Sequence, residues 1–210
     1  MAKSAPFDAH SDRYDEWYER FKPAYLSGLL AVRALLPWTG DGLEVGVGSG
    51  RFAAPLGVKT GIDPARAMLD LAEARSIKVV QGVAEALSFE DNSFDYALMV
   101  VVLSFLDDAK AALAEIRRVL RPNGVLVIGF LDHGSKAGCD YLDRQAKGEM
   151  FRCATFFSSA DVERLLTDAG FRNQCWVQTL FAPPEEVEKI QPIRAGHGEG
   201  VFVVVKAVSR

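Results

Sequence analysis

Cysteine is scarce in this chain: Cys139, Cys153 and Cys175 are the only three in 210 residues, at no spacing typical of a metal chelate. An odd number also leaves at least one thiol outside any disulfide framework, so a reduced compartment such as the cytoplasm is expected. Histidine is as sparse, with His10, His133 and His197 far apart. Basic residues never gather into a run, and 24 Lys/Arg against 28 Asp/Glu leave a net charge of −4. That balance lacks the electrostatic footprint of a nucleic-acid binder and favours a small-molecule partner. No apolar run reaches the roughly 20 residues needed to span a bilayer, and the N-terminus lacks the apolar core of a signal peptide. Repeats with a period of 20–50 residues are absent too. What remains is enough hydrophobic sequence for one α/β domain with a full core, as a monomer or homodimer.

The most informative stretch is Leu43-Glu44-Val45-Gly46-Val47-Gly48-Ser49-Gly50-Arg51-Phe52. It reads as a buried strand ending in an acid, a glycine-rich turn, and a helix starting near Arg51. Glycines let the turn take positive φ and let backbone approach a ligand closely. A dinucleotide fingerprint needs its third glycine three positions after the second, where this chain has Arg51, and no G-K-[ST] follows to make a phosphate loop. The pattern E-x-G-x-G-x-G instead resembles the first motif of the class I S-adenosylmethionine (SAM) methyltransferases. For that cofactor the acid makes chemical sense: a carboxylate pairs with a sulfonium or ammonium and repels a pyrophosphate.

Further segments carry the same resemblance, specifically to the small-molecule enzymes of the Methyltransf_11 type. Strand two, Val58–Ile62, ends at Asp63-Pro64, and Asp63 lies 63 − 44 = 19 positions after Glu44, close to the spacing at which a carboxylate takes ribose hydroxyls. Gly82-Val83-Ala84-Glu85-Ala86-Leu87-Ser88-Phe89 is similar to the family's G-D-A-E-x-L-P-F segment beside the adenine, with Val83 replacing the acid. Glu115-Ile116-Arg117-Arg118-Val119-Leu120-Arg121-Pro122-Asn123-Gly124 resembles the family's helix and turn before strand five. Tyr14-Asp15-Glu16-Trp17-Tyr18 looks like the Y-D-x-[WFY] segment that folds across the cofactor. The resemblance implies a Rossmann-like fold: a seven-stranded, mainly parallel sheet with its last strands antiparallel and helices on both faces. It implies SAM as cofactor, S-adenosylhomocysteine (SAH) as product, and contacts from Glu44, Gly46, Gly48, Gly50, Asp63, Pro64, Met68, Ala84, Glu85, Met99 and Val100.

Along the chain, residues 1–10 read as a loose tail. An aromatic stripe with a break at Pro23 forms a cap helix over about 11–36, from which Arg13 or Tyr14 would reach the methionine carboxylate and Trp17, Phe21 or Tyr25 the acceptor. Strand three is Ile77–Gln81 and strand four is Tyr96–Leu103. Asp107–Leu120 is a helix and Val125–Leu131 strand five. Inserts at about 134–155 and 182–200, the first with a helix running to about Met150, would help select the acceptor. Trp176–Phe181 and Val201–Val208 read as the last two strands.

Methyl transfer is in-line displacement with a leaving group already attached, so positioning supplies most of the catalysis. A base is needed only if the acceptor must lose a proton. His133 and Tyr14 are the candidate catalytic residues, and Trp17, Phe21 and Asp132 the candidate acceptor contacts. Ser104 stands where the family often carries His. Two alternatives stay open at this stage: a SAM- or SAH-binding module without transfer, and an NAD-dependent reductase.

Overall fold

The computed structural model describes residues 5–146, 148 and 151–209. Eight strands among them form one sheet in the order β3-β2-β1-β4-β5-β8-β6-β7. The central parallel part is β1 (Gly42–Val45), β2 (Thr60–Asp63), β3 (Lys78–Gln81), β4 (Phe94–Val100) and β5 (Leu120–Leu131). Beside β5 runs β8 (Phe202–Ser209), antiparallel to β5 and to β6 (Phe171–Thr179). The expected architecture is present with one strand more than the seven predicted. The addition is β7 (Arg194–Ala195), a two-residue edge pairing with Val177 and Gln178 inside what reads in sequence as a loop.

Alternation along the strands divides the core between the two faces, as a period of two requires. On β4, Leu98 and Val100 join one cluster with Val47, Phe52, Val127 and Phe202, while Ala97 and Met99 join another with Leu43, Ile62, Leu113 and Phe130. The first face is covered by α2 (Ser11–Arg20) and α3 (Lys22–Leu35), the second by α6 (Ala109–Val119) and α8 (Ser159–Asp168). Small residues let α3 approach the sheet: a Cβ on Gly28 would sit 3.5 Å from the Phe202 ring.

Several expected boundaries move for physical reasons. The supposed tail contains a helical turn, α1 (Ala5–Ala9). The cap breaks at Phe21, not at Pro23, which lies in the first turn of α3, where a missing N–H costs nothing. After the glycine turn the helix is only α4 (Ala53–Leu56), closed by left-handed Gly57. Strand four stops at Val100 because Val101 takes φ 60°, and Leu103–Phe105 is a 3-10 turn. The helix α5 (Arg66–Ala74) follows β2. Asp108 caps α6 by accepting from Lys110 and Ala111 N–H groups, and Ser158 and Asp161 form a reciprocal capping box on α8. The insert contains α7 (Lys136–Gln145); the expected end near Met150 lies outside the described residues. No helix among the described residues is long and apolar enough to cross a membrane.

Candidate active site

Strand order reverses between β1 and β4, the place where an open α/β sheet leaves a crevice beyond its strand ends. The turn after β1 forms its floor, with Gly46, Gly48 and Gly50 at φ 70°, 51° and 80°. These glycines differ in their surroundings. A Cβ on Gly46 would stand 2.2 Å from Val102 Cγ2 and one on Gly50 2.4 Å from Ile77 Cδ1, whereas nothing lies within 4 Å at Gly48. Gly48 opens onto the cleft.

That cleft is lined by Gly46, Gly48, Asp63, Pro64, Met68, Ala84, Glu85 and Val100, all expected from sequence. Asp63 accepts from Gly48 N–H through Oδ2 and from Ala65 N–H through Oδ1, both at 2.9 Å. One carboxylate thus ties the glycine turn to the start of α5. Burial raises its pKa, against the lowering effect of those two bonds. Each carboxylate oxygen has two acceptor sites, so capacity for two hydroxyls remains. Glu44 is 2% exposed, and its Oε2 has no hydrogen-bond partner. Burial lifts its pKa well above the usual carboxylate range; a bond from the Ala53 N–H opposes this and Asp63 adds to it. A buried acid with one unbonded oxygen, beside an open glycine turn and a ribose-type carboxylate, is an acceptor set that fits a cationic nucleoside.

Glu85 lines the cleft, but its Oε1 accepts from the Asp107 and Asp108 N–H groups at 2.9 and 3.3 Å, so the side chain also ties down the chain entering α6. Met99 is completely buried in the core and does not line the cleft. The roof comes from α1 and α2: Phe7 meets Phe105 at 4.9 Å and Tyr14 at 5.4 Å, both edge to face.

A second cavity lies under the cap. Tyr14, Trp17, Tyr18, Tyr25, Phe52, Tyr141, Phe151 and Phe202 line it, and Arg13 is its one charged lining residue among those described. Tyr14 and Val101 line both cavities. Val101 holds its left-handed φ with its N–H donating 2.8 Å to Gly129 O, a conformation costing a β-branched residue about 1–3 kcal/mol. The Tyr18 hydroxyl donates to the Tyr14 oxygen at 3.0 Å, and burial raises both phenol pKa values, so both rings are protonated at neutral pH.

Of the remaining expected residues, Phe21 packs against Trp17 at 5.4 Å and lines neither cavity. Asp132 is 1% exposed and holds α8, accepting from the Ser159 N–H and hydroxyl at 3.0 and 2.8 Å. His133 lies outside both cavities, stacked on Phe156 and 3.2 Å from Asp143 Oδ1.

Sequence reasoning missed the clasp between cap and floor. Asp15 accepts from Ser49 Oγ at 2.6 Å, Arg51 Nε and Nη2 at 2.8 and 2.6 Å, and Arg75 Nη2 at 2.8 Å. The Tyr25 hydroxyl donates to the Arg51 carbonyl at 2.5 Å. Asp15 stands inside the recognised Y-D-x-W segment, which was the available signal. Phe7 and Val101 gave none, because one sits in a short polar-flanked turn and the other continues an apolar strand pattern.

Comparison with known proteins agrees with this geometry. The family model for a methyltransferase domain matches residues 43–128. The solved structure of a SAM-dependent methyltransferase of Thermotoga maritima, named as a possible histamine N-methyltransferase, superposes with a TM-score of 0.95. It is 40% identical and covers 99% of this chain and 100% of its own. An uncharacterized protein of Methanocaldococcus jannaschii is 37% identical over 201 residues, 96% of this chain and 97% of its own. A demethylmenaquinone methyltransferase of Staphylococcus aureus is 40% identical over 82 residues, 37% of this chain and 34% of its own. On the glycine turn, the reversal of strand order, the matching family model and the full-length likeness to the Thermotoga maritima structure, the chain belongs to the class I SAM-dependent methyltransferases.

Proposed function

We propose that this chain binds SAM in the glycine-floored cleft and catalyses transfer of its methyl group to a small molecule held in the aromatic cavity. The observation that carries the reading is the pair Tyr14 and Val101, which line both cavities and so mark where they meet. Bound SAM would supply a methyl carbon on a sulfonium: the acceptor's lone pair would form the new bond in line as the carbon–sulfur electron pair leaves with SAH, and a methylated amine would shed its extra proton to solvent. In this reading Asp63 accepts from the ribose, Glu44 balances the positive charge, and Met68, Pro64, Ala84 and Val100 enclose the adenosyl part. The roof of Phe7 and Tyr14 excludes water. Tyr14, kept protonated by burial, orients the reacting groups and abstracts nothing. We assign no part in the transfer to His133 or Asp132.

For the acceptor we favour a small amine carrying a ring. The ring faces of Trp17, Tyr18 and Tyr25 suit a flat or cationic group, and the name of the Thermotoga maritima relative points to the same class. The quinone named by the Staphylococcus aureus relative rests on about a third of each chain. We further read residues 1–210 as one domain in which the cap at 11–36 and the segments at 134–155 and 182–200 select the acceptor. It would act as a monomer or homodimer in a reduced cytoplasm, where three free thiols persist.

Incubation with methyl-labelled SAM and either ring-bearing ethylamines, histamine among them, or demethyl quinones tests the reading. Label is expected in an amine product. Label in the quinone alone would replace the acceptor class, and label in neither, with SAM bound, would leave a binding protein without transfer.

A further inference from the structure

Outside the lining of both cavities, three side chains of metal-ligating type converge at the carboxyl end of β5. Single ligand atoms of His133, Cys139 and Asp143 all lie within 4.8 Å of one another. Cysteine spacing hides this group, since its members are of three types and its arrangement, H-x5-C-x3-D, joins a strand end to a helix.

The fold brings them together for identifiable reasons. His133 follows β5 and is held rigidly: its N–H donates to Phe157 O at 3.1 Å, its ring stacks on Phe156 at an interplanar angle of 15°, and its neighbour Asp132 is clamped by Ser159. The first turn of α7 lies hard against that strand end. A Cβ on Gly138 would be 2.0 Å from Asp132 O, so only glycine allows the approach. Cys139 and Asp143 are four residues apart on α7 and therefore share one face. That face is exposed, while Tyr141 and Leu142 point inward.

We propose that His133, Cys139 and Asp143 bind one divalent cation of borderline softness, zinc above all. One imidazole nitrogen, one thiolate and one carboxylate oxygen form a mixed set that suits zinc and its neighbours and does not suit magnesium or calcium, which take oxygen ligands. Zinc–ligand bonds of about 2.0–2.3 Å put tetrahedral ligand atoms roughly 3.3–3.8 Å apart. His133 and Asp143 already stand at 3.2 Å, and rotation of the exposed Cys139 closes the rest. Cys139 binds as thiolate, its proton passing to solvent, and His133 binds through a ring nitrogen. Water takes the fourth position. The ion's effect is mechanical: it cross-links α7 to the end of β5. From α7, Tyr141 and Gln145 line the aromatic cavity, and from His133 the ring contacts run through Phe156 to Phe151, another wall of it.

The test is calorimetric titration of the chelator-treated full chain with zinc, beside Cys139→Ser and His133→Ala. Cobalt is added separately to read the sulfur-to-metal absorption band. The expected result is one ion per chain in the wild type and at least hundredfold weaker binding in each variant. The cobalt–thiolate band should vanish in Cys139→Ser, magnesium should not compete, and zinc should raise only the wild type's melting temperature. Melting without metal checks that the variants fold. Absent binding in the wild type, or affinity unchanged in both variants, overturns the site. Loss in Cys139→Ser with His133→Ala unaffected overturns the three-ligand assignment.

Discussion

Asp15 of the cap helix and Arg51 of the glycine-turn segment are joined by two hydrogen bonds, at 2.8 and 2.6 Å, from one guanidinium to one carboxylate. The roof of the cleft is therefore fastened to its floor through this ion pair, with Ser49 and Arg75 on the same carboxylate and Glu19 of the cap on the same guanidinium. Both side chains are 16% exposed, so solvent screens the pair less than a surface bridge.

That clasp sets the first expectation. Asp15→Asn should weaken SAM binding about tenfold or more in calorimetric titration while the sheet stays folded by circular dichroism. A double-mutant cycle with Arg51→Lys should give a coupling of about 1–3 kcal/mol. Additive effects of the two substitutions would mean that the clasp does not couple cap to floor.

Acid should release the same clasp. Burial alone would push Asp15 up, but bonds from Arg51, Ser49 and Arg75 outweigh it and hold the carboxyl at about 2, against an ordinary 3.8. A depressed acid contributes stability that is present above its unfolded pKa and lost as pH falls through the folded one. Between pH 4 and 2, wild type should lose up to about 2 kcal/mol that Asp15→Asn never had. Urea midpoints across that range check this, and parallel curves would contradict it.

Glu44 has the opposite sign. Its raised pKa means that the folded chain holds a proton that the unfolded chain has lost, so stability falls as pH rises above 4.5, the ordinary glutamate value. Pairing with a cation favours the charged form, so SAM binding should release a proton and tighten by up to tenfold per pH unit while Glu44 is neutral. Titration in two buffers of different ionisation heat measures the proton, and Glu44→Gln should abolish its release. Equal heats in both buffers for wild type would refute the assignment.

The glycines give a paired expectation. Gly46→Ala drives a Cβ into Val102 and should unfold or strongly destabilise the chain, whereas Gly48→Ala meets no protein atom within 4 Å. At Gly48 the backbone penalty for alanine at positive φ is about 1–2 kcal/mol. Gly48→Ala should therefore stay folded in thermal melts yet bind SAM at least tenfold more weakly.

Much of this was legible in the sequence because the informative residues are constrained locally. Glycines at positive φ, an acid at a strand end and apolar runs in parallel strands are decided by neighbours a few positions away. Asp63 is such a case. What escaped depends on packing between distant segments. Asp15 meets residues 34 to 60 positions on, and Phe7 becomes part of a roof only because α1 lies beside Phe105. His133 and Asp132 read as cleft residues because they follow β5, yet there the chain enters α7 and both residues bond to the segment that starts α8. Their neighbourhood was visible in sequence and their direction was not.

The most direct test of the central claim is calorimetric titration of SAM and SAH into wild type and Asp63→Ala, with NADH as a control and thermal melts to confirm the variant's fold. Micromolar binding of SAM and SAH, one per chain, lost at least tenfold in folded Asp63→Ala, is the expected result. Failure of the wild type to bind either ligand, or equal affinity in the folded variant, would contradict the assignment of the glycine-floored cleft to this cofactor.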